Sequence, residues 1–177
     1  MSDFPIPRLP PNITIWPFSL ESVGVDIMRM VASVLVGYTW PTANLALFVP
    51  FVLLEEVTVK KLWWYNGNAQ SGNVDAGVYD SGGNLLSPAA AVAQAGSSVL
   101  QVADITDFVL GPGLFYLALV LDNTTGKNFQ CTLPTGGAAA LGMFQMAAAY
   151  PLPAVATFAS CTTDRVPMVG LTTRVLV

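Results

Sequence analysis

The sequence predicts an all-β domain, an antiparallel β-sandwich of the jelly-roll type with an extended N-terminal arm and at most one short helix. Three observations carry that expectation. Residues Ala43 to Asp80 hold three successive runs rich in Val, Leu, Phe, Trp and Tyr, each closed by turn-forming residues. Similar runs recur toward the C-terminus between Gly-, Pro- and Asn-bearing turns, giving about eight short strands of the kind that build sandwiches. Only Ala138 to Tyr150 has a helix-forming composition, and Gly142 interrupts it.

Residues 1–37 read as an arm or attachment segment and residues 38–177 as the sandwich. Pro5, Pro7, Pro10, Pro11 and Pro17 fix the backbone and remove donors, so the first stretch should be extended. Phe4, Ile6, Leu9, Ile13, Ile15 and Trp16 make it too apolar for a solvated tail, because disordered tails are polar. These six side chains are the candidates for attachment to a neighbouring subunit or a docking protein, the alternative being packing onto the arm's own domain. Ser22 to Tyr38 mixes helical and alternating spacing, and a strand is expected near Ile27 to Val36.

Trp40-Pro41-Thr42 forms a turn into the first strong run, which Pro50 divides, so Pro50 should sit on an edge or at a bulge. In the next run Val57 and Val59 share a face, Lys61 breaks the alternation, and Leu62 and Trp64 resume it one residue late. A bulge at Lys60-Lys61 accounts for the slip. Asn66-Gly67 and Asp80-Ser81-Gly82-Gly83-Asn84 are turn signals. Between them, Val74, Ala76 and Val78 alternate with Asp75, Gly77 and Tyr79, as in a half-buried antiparallel strand. Ser87 to Ser98 reads as a loop, Val99 to Ile105 as a strand and Gly111-Pro112-Gly113 as a turn. Phe115 to Leu121 is apolar on both faces and should be the most buried strand. Asn128 to Thr132, Val155 to Phe158 and Met168 to Val177 supply the closing strands.

Apolar residues make up 53% of the chain and charged residues only 10%, against about 25% in an average soluble domain. A monomer of 18.7 kDa exposes roughly 8,000 Å² of surface. Seven basic and eleven acidic side chains cover little of that, so uncharged, partly apolar surface must remain, and such surface marks association. No run reaches the ~20 apolar residues of a helical membrane span. The proline-rich N-terminus lacks the basic and apolar regions of a secretory signal, so synthesis in a cytoplasm without membrane insertion is expected. A net charge of −4 with one adjacent pair of lysines argues against nucleic acid. Cys131 and Cys161 are two thiols that could pair, and synthesis in a cytoplasm favours the alternative of two buried reduced side chains.

The chain has no histidine, which removes Ser-His-Asp and Cys-His catalysis and most zinc sites. No nucleophile elbow or phosphate-cradling loop is present. Paired carboxylates remain as candidates: Glu55-Glu56, Asp75 with Asp80, and Asp104 with Asp107. The first pair should be solvated and the last should cap a turn. Asp80, Asn84 and Asp122-Asn123 offer oxygens without the spacing of a calcium loop. No catalytic residue, metal or cofactor is therefore expected. The aromatic run Trp63-Trp64-Tyr65 should place one indole in the core and the other outward, in an interface or second core layer, under a loop, or against a glycan ring.

Trp40-Pro41-Thr42-Ala43-Asn44, Val49-Pro50-Phe51, Val57 to Leu62, Ser71 to Asp80, Gly113 to Leu119 and Tyr150 to Ala154 together resemble β-sandwich proteins of tailed-bacteriophage particles. The resemblance covers roughly residues 38 to 177, and the pair Gly-Asn-Val-Asp-x-Gly-Val-Tyr-Asp and Gly-x-Phe-Tyr-Leu-Ala is its most specific part. It implies a non-enzymatic virion component (head decoration, head fibre or tail-fibre adhesin) that forms homo-oligomers, trimers by the family pattern, and touches other capsid or tail proteins. The alternative is a carbohydrate-binding module that recognises host glycans through Trp63 or Trp64.

Overall fold

The computed structural model describes residues 14–15, 36–87 and 91–172. The strands are β1 (Thr14–Ile15), β2 (Val36–Thr39), β3 (Ala46–Leu53), β4 (Val57–Tyr65), β5 (Asn73–Asp80), β6 (Val92–Ala93) and β7 (Leu100–Leu110). They continue with β8 (Gly113–Leu121), β9 (Lys127–Thr132), β10 (Phe144–Met146), β11 (Ala159–Ser160), β12 (Arg165–Pro167) and β13 (Val169–Thr172). One helical turn, α1 (Gly137–Ala140), separates β9 from β10. The order β11-β10-β3-β8-β5-β6 forms the largest sheet, β1-β13-β4-β7 a second, and β12-β9-β2 a third. All pairings are antiparallel. The fold is all-β and sandwich-like. An eight-stranded double Greek key is a more specific arrangement than this strand order establishes.

Alternation sets the layers. On β8, Leu117, Leu119 and Leu121 enter the main core, where they meet Leu47, Val49 and Phe51 of β3 and Val74, Ala76 and Val78 of β5. The second sheet contributes Val59, Leu62, Trp64, Ala103, Val169 and Leu171 to the same core. Full burial of each such aliphatic side chain contributes about 1.5–3 kcal/mol. The opposite face of β8, with Tyr116, Ala118 and Val120, packs in a smaller core with Phe48, Tyr79, Leu152 and Ala156. Thus β8 is buried on both faces, as its composition predicts.

The outer face of β5 differs from the half-buried expectation. Asp75, Gly77 and Tyr79 are buried because the chain after β10 crosses over them as a strap. Hydrogen bonds fasten it, among them Leu152 N–H to Asp75 Oδ2 at 2.9 Å, Tyr79 Oη to the Pro153 carbonyl at 2.6 Å, Leu85 N–H to the Ala154 carbonyl and Ala156 N–H to the Gly83 carbonyl. Gly77 lies beneath, where a Cβ would come within 2.8 Å of Leu85 Cδ1 and 3.0 Å of Leu152 Cδ1. Next to the strap, Phe144 and Phe158 stack at 4.9 Å, with Tyr116 against Phe158.

Several local expectations hold and others need correction. The β4–β7 register breaks between Val59 and Lys61, the place where the apolar pattern slips. Opposite that break β7 runs from Phe108 to Asp104, so the extra residues lie on β7. Pro50 pairs with Tyr116 of β8 on one side. Its other side lies past Phe48, where β10 pairing ends, an edge position that needs no donor. The helix expected over Ala138 to Tyr150 is only one turn long, since Gly142 takes a left-handed φ of 77° and ends it. β7 extends to Leu110, beyond the expected Ile105, and the loop from Ser87 contains β6. Of the strand expected at Ile27 to Val36 only Val36 is described, within β2, which straddles the expected boundary between residues 37 and 38.

Candidate assembly surface

Two crossovers between the sheets lie side by side at one end of the sandwich. The β3–β4 link joins Leu53 to Val57, and the β7–β8 link joins Leu110 to Gly113. Their flanking residues are paired, Leu53 with Gly113 and Val57 with Leu110. Leu53 and Leu110 close the core at this end. Around them Leu54 is 86% exposed, Val52 62%, Val109 57% and Leu114 43%. Val52 and Leu114 are directly paired across β3 and β8. Pro112 is exposed as well, and Glu55 and Glu56 supply the charge. Isolated exposed aliphatics are ordinary; here four of them flank two adjacent turns, Val52 and Leu114 on the largest sheet and Val109 on the second.

Several sheet edges are guarded against pairing with another copy. The largest sheet ends in the two-residue strands β11 and β6. β7, with 11 residues, is the long outer strand of the second sheet. It carries the register break and two carboxylates, and both features discourage edge-to-edge pairing. Asp107 pairs with Lys60 and Asp104 with Lys61 at 3.3 Å. Asp104 and Asp107 therefore meet the lysines of β4 rather than capping a turn, and exposed pairs of this kind stabilise little.

The candidate pair Asp75 and Asp80 does not meet: five residues apart on β5, Asp75 is buried under the strap and Asp80 closes the strand. Asp80 and Asp122 lie at opposite ends of β5, since Asp122 bonds Asn73 at the start of that strand. Asp80 accepts from Gly82 N–H, Asn84 N–H and Asn84 Nδ2. The Asn84 side chain and these backbone donors hold its carboxyl below the usual carboxylate range. Burial works against the charge on Asp122, yet the hydrogen bonds from Asn73 and Asn123 win and lower its pKa. Both side chains lock turns with the chain's own donors. Among the described residues no group of His, Cys, Asp and Glu could hold a metal ion. Cys131 and Cys161 are buried free thiols, and burial raises the Cys131 pKa.

Of the aromatic run, Trp64 enters the main core and Trp63 is buried outside it. Trp64 is 0% exposed and Trp63 4%. The Trp64 indole donates to Asn66 Oδ1 at 3.1 Å, and the Trp63 indole to the Leu171 carbonyl at 3.4 Å. Neither presents an open ring face on which a sugar could stack. Tyr65 is half-buried edge-on to Phe129 and donates to the Ser98 carbonyl. Of the six arm candidates only Ile15 is described. Its backbone pairs with Leu171 of β13 in the same chain, beside Thr14 with Thr172. Phe4, Ile6, Leu9, Ile13 and Trp16 lie outside the described residues.

Sequence reasoning missed two groups. Val52 and Leu54 fell in an expected strand run, whereas Val109 and Leu114 lay outside the expected strands, and only the pairing of the two crossovers brings the four to one end of the sandwich. Asn66 was readable as a turn residue, yet it is fully buried. Its Oδ1 accepts from Trp64 and Gln94, and its Nδ2 donates to the Ala95 carbonyl and Gln101 Oε1. Comparison with known proteins matches this chain to no family model, no curated protein and no solved structure.

Proposed function

We propose that this chain is a non-enzymatic structural component of a larger particle, of the kind that builds tailed-bacteriophage virions. It associates with further copies of itself, in trimers by the family pattern, and anchors to other particle proteins through its N-terminal arm. The observation that carries this reading is the aliphatic end formed by Val52, Leu54, Val109 and Leu114 in a chain with so few charges. A structural protein that buries this end against copies removes the apolar area from water, which favours association by about 25 cal/mol per Å². The resemblance over residues 38 to 177 supports the particle setting.

The test is a paired substitution, Val52→Lys with Leu54→Lys, at sites that contribute nothing to the core. The expected result is a lower molar mass by light scattering with an unchanged far-ultraviolet circular dichroism spectrum. An unchanged mass refutes the assignment of this surface. Removal of residues 1–20 tests the arm: attachment to the particle should be lost while the sandwich stays folded, and full-strength attachment overturns the anchoring role.

A further inference from the structure

We infer an internal hydration site on the middle strand of the three-stranded sheet, in which bound water donates to Asn128 Oδ1 and Gln130 Oε1. Both residues are fully buried. Two apart on β9, they point to the same face of the sheet. Their amide nitrogens are engaged, Asn128 Nδ2 with the Tyr65 carbonyl at 2.8 Å and Gln130 Nε2 with the Tyr38 carbonyl at 3.5 Å. Turning Asn128 over would set its oxygen against the Tyr65 carbonyl, which fixes that amide, and the longer Gln130 contact favours the same sense more weakly. The two amide oxygens are then buried without a partner, and no donor among the described residues reaches either one.

The neighbouring amides show how unusual that is. Asn66, Gln94 and Gln101 form a buried network in which every side-chain oxygen and nitrogen has a partner. The backbones of Asn66 and Asn128 form an antiparallel bridge, so the satisfied amides and the orphaned ones sit on neighbouring segments. Buried acceptors in native proteins are almost always bonded, and those that protein cannot reach are bonded by internal water.

The chemistry favours a neutral donor over a cation. The register places Tyr38, opposite Asn128, and Arg165, opposite Thr132, on the same face of the sheet. The Arg165 guanidinium stacks over the Tyr38 ring at 4.8 Å, and its positive charge opposes a metal ion nearby. The two oxygens belong to amides, and β9 and its paired strands bring no carboxylate to this face. Water carries two donors and matches two acceptors on alternate residues of one strand, either alone or as a hydrogen-bonded pair.

A crystal structure of the full chain near 1.5 Å resolution, with a rubidium soak, tests the inference. The expected result is solvent density at about 2.7–3.2 Å from each oxygen with no anomalous peak. Absent density, a protein donor on either oxygen, or a rubidium peak overturns it. In solution, magnetic relaxation dispersion should count at least one fewer long-lived internal water in Gln130→Met than in the parent. An unchanged count also overturns the site. This inference is independent of the assembly reading, which the crystallographic result leaves untouched.

Discussion

Replacing Asn66 by Ala perturbs the residue on which the polar network converges. Four hydrogen bonds are removed, two accepted by Oδ1 and two donated by Nδ2. They do not weigh equally. Gln94 Nε2 retains the Lys127 carbonyl at 2.7 Å, and Gln101 Oε1 retains the Ala95 N–H at 2.9 Å. The lasting losses are the Trp64 indole, left as a buried donor, and the Ala95 carbonyl, which sits in an exposed loop where water can reach it. A buried donor without a partner costs about 1–3 kcal/mol, and a net lost hydrogen bond about 1 kcal/mol. Together they predict about 2–4 kcal/mol of destabilisation, a fall in Tm of roughly 5–15 °C for a domain of this size. Urea unfolding followed by tryptophan fluorescence, at one fixed protein concentration, measures it. Trp64→Phe in the Asn66→Ala background should cost less than Trp64→Phe alone, since the orphaned donor is then gone. A cost below about 0.5 kcal/mol for Asn66→Ala, the size of an ordinary surface change, would refute the reasoning.

Further consequences concern the strap and one close approach. Burial, and then the nearby Asp75 carboxylate, raise the Tyr79 pKa above its ordinary value. Its folded-state pKa is thus above the unfolded one, so the associated stability is complete below about pH 10 and declines as pH rises toward the folded value. Tyr79→Phe should lose about 1 kcal/mol at neutral pH with the bond to Pro153, and should flatten the alkaline limb of a stability–pH curve. An alkaline limb identical to the parent's contradicts this. A Cβ on Gly67 would lie 2.6 Å from Lys127 Cβ, and this residue also packs against Gly37. Gly67→Ala should therefore cost about 1–3 kcal/mol by thermal unfolding, and a neutral effect would show that the two segments separate easily.

Period-two patterns made much of the sandwich legible. The faces of β5 and β8, the slip at Lys60-Lys61 and the edge position of Pro50 all follow from residues that touch within a strand or its partner. What covers a face is a long-range matter, and there the reading fell short. Asp75, Gly77 and Tyr79 look like a half-solvated face until the strap from Ala149 to Phe158 lies across them. Trp63 looks outward by parity but is nearly fully buried. Asn66-Gly67 looks like a hairpin turn, yet β4 and β5 belong to different sheets, and the asparagine spends its side chain on the interior. The aliphatic end was foreshadowed only as a shortage of charge; which residues form it depends on two crossovers meeting in space.

The central claim is that the exposed aliphatic end is buried against other copies. Sedimentation equilibrium on the full chain at micromolar concentration measures this most directly. A mass at a whole multiple of 18.7 kDa, reduced by the paired lysine substitutions, is the expected outcome. A single 18.7 kDa species that persists to millimolar concentration contradicts the account.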